Sequence, residues 1–386
     1  MSEETGFPAR FASVPWALDA FFPESDDPIP LWVAEPTLPL AQPIVDTIRD
    51  RADSGWYGYE SRIGEYENTF RNWMRSRHGW EIGDSRILQS PSIGSSIASL
   101  IDLFTNAGDG IILQSPVFTD FKLLINKSSR RVVKSALTLE SGRYQMGFES
   151  LEKSASDPMV RVLVLCNPHN PVGRAWSLDE LRLVAKICSR HDVMVISDEI
   201  HCDIMLHGLD FVPFADAANG ISVRWAALHG PIKTFGVAGL CDTLMITDDD
   251  EIAKEFERRC DVMSLNRNNV FGLAAFHAGY NSGSEWLDGF IDQIESNFDY
   301  VRNNLPNGIE LIEPEATYLA WLDFSELGMD VPKLTNWLVA EANIAVSPGH
   351  WFGREGAGFA RMTIAVEREV LEEAMRRLEE AVSRLP

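Results

Sequence analysis

Lys233 lies in His229-Gly230-Pro231-Ile232-Lys233-Thr234-Phe235, where its amine stands among apolar and small residues. Such surroundings disfavour the ammonium form and prepare an amine to condense with a carbonyl. A solvated surface lysine is the plain alternative. Two other segments carry groups suited to work with it. In Ser197-Asp198-Glu199-Ile200-His201 an acid follows an apolar run, so Asp198 can be buried at a sheet edge, where a carboxylate needs a cationic partner. Asn167-Pro168-His169-Asn170-Pro171-Val172-Gly173 is dense in turn formers and, taken alone, is a tight loop joining strand to helix. Taken together, an asparagine, an acid and a lysine that each follow their own strand point to one catalytic edge.

The elements that must position these groups are legible as alternating patterns. Helical periodicity covers residues 96–104 and a strand is expected over 110–113. Residues 160–165 read as a buried strand, and Ser177 with Glu180 forms a capping box that opens a helix running to about Arg190. The next strand is expected over 193–197, and the apolar stretch 225–228 precedes Lys233. Such alternation implies an α/β fold with a mostly parallel sheet covered on both faces, and ligands beyond the carboxyl ends of its strands. After about residue 285 the pattern changes to a long helix over 285–305, strand-like pieces around Leu319 and Met362, and a charged helix over 367–385. This reads as a smaller α+β domain. The first 45 residues, with several prolines and little periodicity, are expected to wrap the surface or join that small domain. The expected organisation is 1–45, a large domain over 46–285, and a small domain over 286–386.

At 386 residues the chain exceeds the roughly 250 to 300 residues at which single cores stop growing. Its 57 acidic and 34 basic side chains give a formal charge of -23, which repels phosphate backbones and anionic lipids. No nucleic acid and no membrane partner is expected. Five cysteines, Cys166, Cys188, Cys202, Cys241 and Cys260, are widely spaced without a CxxC pair, so neither a disulfide framework nor a metal site is expected and a reducing compartment fits. The N-terminal MSEETGFPAR lacks a basic region followed by an apolar one, and no stretch reaches the roughly 18 apolar residues of a spanning helix. The expectation is a cytoplasmic protein.

The motifs resemble those of the fold-type I pyridoxal-phosphate enzymes of aminotransferase class I and II and, within them, the MalY/PatB type of cystathionine β-lyase. The likeness runs from Pro30-Leu31-Trp32-Val33-Ala34, through residues 56–59 and Arg77-His78-Gly79-Trp80, to Pro348-Gly349 and Arg361. Its most specific stretches are residues 166–173, residues 197–201, and Lys233-Thr234-Phe235 with Ala238-Gly239-Leu240. The resemblance implies a three-layer aminotransferase-like large domain, pyridoxal 5'-phosphate as cofactor, and a small-molecule amino acid as substrate.

Carried over by position, the resemblance makes Lys233 the residue that holds the cofactor as a Schiff base and then removes the substrate's Cα proton. Asp198 would pair with the pyridine nitrogen and keep it protonated, and Asn167 would donate to the ring oxygen and also contribute to binding the substrate. His201 stands where many aminotransferases have a tyrosine touching that oxygen, and the lyase type is similar to this chain in having histidine; a water-bound surface histidine is the other reading. The phosphate would sit where Ser92-Ile93-Gly94 meets the following helix, because backbone N–H groups and the helix dipole favour an anion there. Phe118 matches the aromatic that stacks on the ring, although an aromatic after a strand is also ordinary core. Tyr59 resembles the tyrosine that reaches a neighbouring subunit's phosphate, which implies a homodimer with shared active sites; a core or surface tyrosine is the alternative. Arg361 resembles the arginine that binds the α-carboxylate with its two-pronged donors, against a surface ion pair.

Some positions depart from the family. Ile232, preceded by Gly230-Pro231, replaces the usual serine or threonine before the lysine, and Cys241 stands where many aminotransferases place a phosphate-binding arginine. Glu35-Pro36 and Thr119 also replace residues that are usually different. The activity implied is β-elimination from a cysteine S-conjugate or cystathionine, yielding thiol, pyruvate and ammonia, and the departures point to a place in specialised (antibiotic) metabolism. Transamination with a 2-oxo acid, decarboxylation coupled to oxidative deamination, and a cofactor-retaining regulatory role remain open at this level, because fold does not fix reaction type.

Overall fold

The computed structural model describes residues 28–60, 63–240, 242–267 and 269–385; Cys241 and residues 1–27 lie outside them. Seven strands form the main sheet: β1 (Arg86–Ser90), β2 (Gly110–Leu113), β3 (Arg131–Lys134), β4 (Val160–Cys166), β5 (Met194–Asp198), β6 (Trp225–His229) and β7 (Thr243–Thr247). Their order is β1-β7-β6-β5-β4-β2-β3. Pairing is parallel from β6 through β5, β4 and β2 to β3, while β7 runs antiparallel to both β6 and β1. The central strands read GIIL, VRVLVLC, MVISD and WAALH, and nearly every residue in them is buried. Continuous apolar runs without alternation are what a sheet covered on both faces requires.

Two covering helices show how local sequence sets their ends. Helix α1 (Ile93–Phe104) starts at Ser92, whose hydroxyl accepts the Ser95 N–H at 3.1 Å. Sequence periodicity placed this start at residue 96, because Ser92, Ser95 and Ser96 mask the first turn; the cap, not the apolar pattern, decides where it begins. Ile93, Ile97, Leu100 and Ile101 then face a core shared with Ile111, Val162, Ile196 and Met245, each such burial contributing about 1.5–3 kcal/mol. Helix α2 (Leu178–Arg190) opens on the expected capping box, with both reciprocal hydrogen bonds between Ser177 and Glu180 formed.

By contacts the chain divides into two compact units. One comprises Leu40–Ile291 with Glu313–Thr317 and holds the seven-stranded sheet; the other comprises the described part of Met1–Pro39 with Asp292–Ile312 and Tyr318–Pro386. In the second unit a four-stranded antiparallel sheet orders Glu310–Ile312, Leu319–Asp323, Phe359–Thr363 and Ser347–Pro348. Ile29–Pro30 pairs in parallel with Ile344–Ala345, and Thr37 N–H donates to Ala365 at 2.8 Å, so this part of the N-terminal segment is built into the smaller unit. The long helix Ser284–Asn304 runs through the contact boundary after Ile291. Its Asn297 side chain donates to the carbonyls of Ile364 and Val366 at 2.8 and 3.0 Å. Among the described residues no helix is long and apolar enough to cross a membrane.

Candidate active site

The carboxyl ends of β4, β5 and β6 lie side by side, with Cys166 opposite Asp198 and Asp198 opposite Leu228. Asn167 N–H donates to the Asp198 carbonyl and Glu199 N–H to the Leu228 carbonyl, both at 2.9 Å. Sheet register therefore brings Asn167 and Asp198 to the edge from which the chain leads to Lys233. Lys233 itself is half-buried on a four-residue helix, Pro231–Thr234. Gly230 begins that turn because a Cβ there would meet the Asp242 carbonyl at 2.9 Å and the Thr243 methyl at 3.0 Å. Ile232 packs against the main core, which gives the departure at this position a structural role.

Asp198 is buried, and among the described residues its carboxylate takes one hydrogen bond, from Ile200 N–H at 3.1 Å. Burial pushes its pKa up to about 7; the Ile200 hydrogen bond and the charge of Lys233 oppose the rise, and the charge of Glu199 adds to it. A desolvated carboxyl with most of its acceptor sites unused is a receptor for a protonated nitrogen. Asn167 is also buried, and its Nδ2 donates to the Val212 carbonyl at 2.9 Å. The amide carries two hydrogens, so a second donor remains for a ligand.

His201 is buried at 3% exposure, which replaces the surface-histidine reading. At the N-terminus of α1 the N–H groups of Ile93 and Gly94 belong to the first turn and have no intrahelical acceptor. A Cβ on Gly94 would meet little but the tip of Leu124 at 4.0 Å, so the approach to this turn is open. Phe118 is half-buried, lying edge-on to Phe121 at 5.5 Å and against the core under α1. Tyr59 is 85% exposed, with the Arg267 guanidinium 5.3 Å from its ring centre. In the smaller unit, Arg361 is buried rather than in a surface ion pair. Its Nη2 donates to the Trp32 carbonyl at 2.7 Å and lies 3.3 Å from the Ser347 hydroxyl, and the guanidinium sits 4.9 Å from the Phe352 ring centre.

The same segment as Asp198 carries a second, largely buried set of polar groups that sequence reasoning missed. Glu199 accepts from the Ser197 hydroxyl and the Phe214 N–H, each at 2.8 Å, and pairs with His229 Nε2 at 2.9 Å. Asp203 accepts from His78 Nε2 at 2.7 Å, Trp73 Nε1 at 2.8 Å and Thr234 Oγ1 at 2.6 Å. The available signal was Asp198, Glu199 and Asp203 crowded after an apolar strand: that many acids cannot enter an interior without dedicated partners.

The model of aminotransferase class I and II matches residues 31–378. The chain belongs to that family. This family member is 34% identical to the cystathionine beta-lyase PatB of Bacillus subtilis over 92% of this chain and 93% of that protein. Its fold is similar to that of cystalysin from Treponema denticola, whose crystal structure contains a pyridoxal 5'-phosphate cofactor: the TM-score is 0.93 at 30% identity, covering 99% and 98% of the two chains. The PLP-bound C-S lyase from Staphylococcus hominis superposes with a TM-score of 0.88 at 26% identity, over 99% of this chain and 96% of that one. The expected three-layer aminotransferase-like α/β fold is therefore the observed one.

Proposed function

We propose that this protein is a pyridoxal 5'-phosphate-dependent C–S lyase that acts on a cysteine S-conjugate or cystathionine and releases thiol, pyruvate and ammonia. The observation that carries the reading is Asp198, a buried carboxyl held by a single backbone donor within the field of Lys233. The likeness to a cystathionine beta-lyase and to a C-S lyase supports the reaction. The residues fit the cofactor: a donor-poor acid for a ring nitrogen, a spare amide hydrogen on Asn167 for a ring oxygen, and open first-turn N–H groups of Ile93 and Gly94 for a phosphate.

Bound pyridoxal phosphate supplies a carbonyl for amines and a ring that accepts the electron pair left when Cα loses its proton. Lys233 Nζ would hold the cofactor and, as a free amine, would take the Cα proton while the thiolate leaves Cβ; one water then converts the remaining three-carbon enamine to pyruvate and ammonia. Asp198 would hold the proton on the ring nitrogen. Asn167 and His201 would orient the ring through its oxygen, and Phe118 would supply an aromatic face for it. Arg361 binds the substrate's α-carboxylate. The exposed Trp56, Tyr57 and Tyr59 support a homodimer in which Tyr59 reaches the partner's phosphate. The acidic charge and buried free thiols support a cytoplasmic setting.

The test is product analysis with cystathionine and a panel of S-alkyl and S-aryl cysteines, with no 2-oxo acid present. Thiol and pyruvate should appear in equal amounts. Absence of thiol, with amino transfer only after a 2-oxo acid is added, would show a transaminase instead.

A further inference from the structure

The short helix that bears Lys233 is held from behind by groups that touch neither substrate nor cofactor in the reading above. Thr234, next to the lysine, is buried and donates its hydroxyl to Asp203 Oδ2 at 2.6 Å. The other oxygen of Asp203 accepts from Trp73 and His78, which belong to the helix Ile63–His78. Phe235, the next residue, lies in an aromatic cage, with ring centres 5.8 Å from Trp73, 5.7 Å from Tyr280 and 6.0 Å from Trp286. A Cβ on Gly279 would come within 2.7 Å of the Phe235 ring, so the cage has no slack on that side. Three side-chain donors saturate Asp203. Burial alone would raise its pKa, but the hydrogen bond and charge of His78, followed by Thr234 and Trp73, bring it below the ordinary carboxylate value. His78, Cys202 and Asp203 also bring ligand-type atoms within 4.8 Å of one another. The protein's own donors already occupy both Asp203 oxygens, so this cluster is a hydrogen-bonded frame.

We propose that Asp203 and Thr234 are positioning residues for Lys233: the hydroxyl–carboxylate bond fixes the rotation of the Pro231–Thr234 turn and so the direction in which the lysine amine projects. The proposal rests on the assignment of Lys233 as the cofactor-binding lysine. It accounts for a threonine, not an apolar residue, in a buried position beside the lysine. It also accounts for the link from that turn to a helix more than a hundred residues earlier in the chain. Without the bond, the amine reaches both the cofactor carbonyl and the Cα proton with wrong geometry, and small displacements of a reacting group are costly.

Three variants separate hydroxyl from volume: Thr234→Val keeps the shape without the hydroxyl, Thr234→Ser keeps the hydroxyl in a smaller side chain, and Thr234→Ala loses both. With each protein loaded with pyridoxal phosphate, two quantities are read beside wild type: kcat for thiol release, and the pH midpoint of the cofactor's visible absorbance band. Val and Ala should share a shifted midpoint and a kcat lower by on the order of 10-fold, and Ser should stay within about twofold of wild type. Effects that follow volume, with Ser resembling Ala, or a Val variant matching wild type in both quantities, would overturn the proposal. Wild-type absorbance and turnover are read in the same series, so a failure of the lysine assignment is seen separately from a failure of the Thr234 role.

Discussion

Asp198 and Asp203 sit on one short segment, both are buried, and they have opposite chemistry. Asp198, at the strand end, has one backbone donor and a pKa pushed up to about 7 by desolvation. Asp203 is saturated by His78, Trp73 and Thr234, and its pKa falls below the usual carboxylate value despite burial. The difference teaches how to tell a functional acid from a structural one when both are inaccessible. A donor-saturated acid is finished by folding, whereas a donor-poor acid is complete only when something else arrives.

The largest expected effect lies on the strand-end side. Lys233→Ala should abolish thiol release, because no other amine in the proposed scheme holds the cofactor; turnover retained within about 10-fold of wild type would move the chemistry elsewhere. Asp198→Asn should lower kcat by about 10²–10³-fold, the usual cost of removing one preorganised charge at a reacting centre. A smaller loss would mean that the ring nitrogen does not need this acid.

The same pair diverges in stability. Asp198 has a folded pKa above its unfolded one, so its contribution is present below the ordinary carboxylate range and is lost as pH rises through about 7. Cofactor-free Asp198→Asn should therefore melt above wild type at pH 8, with the gap closing as pH falls toward about 4. Asp203 has the reverse sign: its contribution is present above the ordinary carboxylate pKa and lost as pH falls through its lowered value. Asp203→Ala should destabilise the protein by about 1–3 kcal/mol in denaturant unfolding at pH 8, since the Trp73, His78 and Thr234 donors lose their acceptor. Equal pH profiles for the two substitutions would erase the distinction between them. A more modest effect is expected in the smaller unit, where Arg361→Lys should raise KM for the amino acid by about 10-fold, the equivalent of one lost charged hydrogen bond, with kcat less affected.

What the sequence made legible was local. The strand over 110–113 is observed with those bounds, and the Ser177–Glu180 box forms as its spacing requires, because both signals lie within a few residues. Burial of Asp198 followed from an acid placed directly after an apolar strand. The start of α1 was not legible, since serine caps and first-turn residues look alike until the hydroxyl's acceptor role is seen. Nor was the Asp203 frame, whose partners Trp73 and His78 come from a distant helix; no periodicity or spacing records a hydrogen bond closed by tertiary folding. His201 left both readings open because the chain carries no local mark that distinguishes a histidine beside a buried acid from one in water.

The central claim is that Lys233 is the amine that holds the cofactor beside Asp198. Protein loaded with pyridoxal phosphate can be reduced with borohydride, digested and mapped by mass spectrometry for the pyridoxyl-lysine peptide. The account predicts that the label resides on Lys233 and is lost in Lys233→Ala. Label on another lysine, or no stable label after reduction, would contradict it.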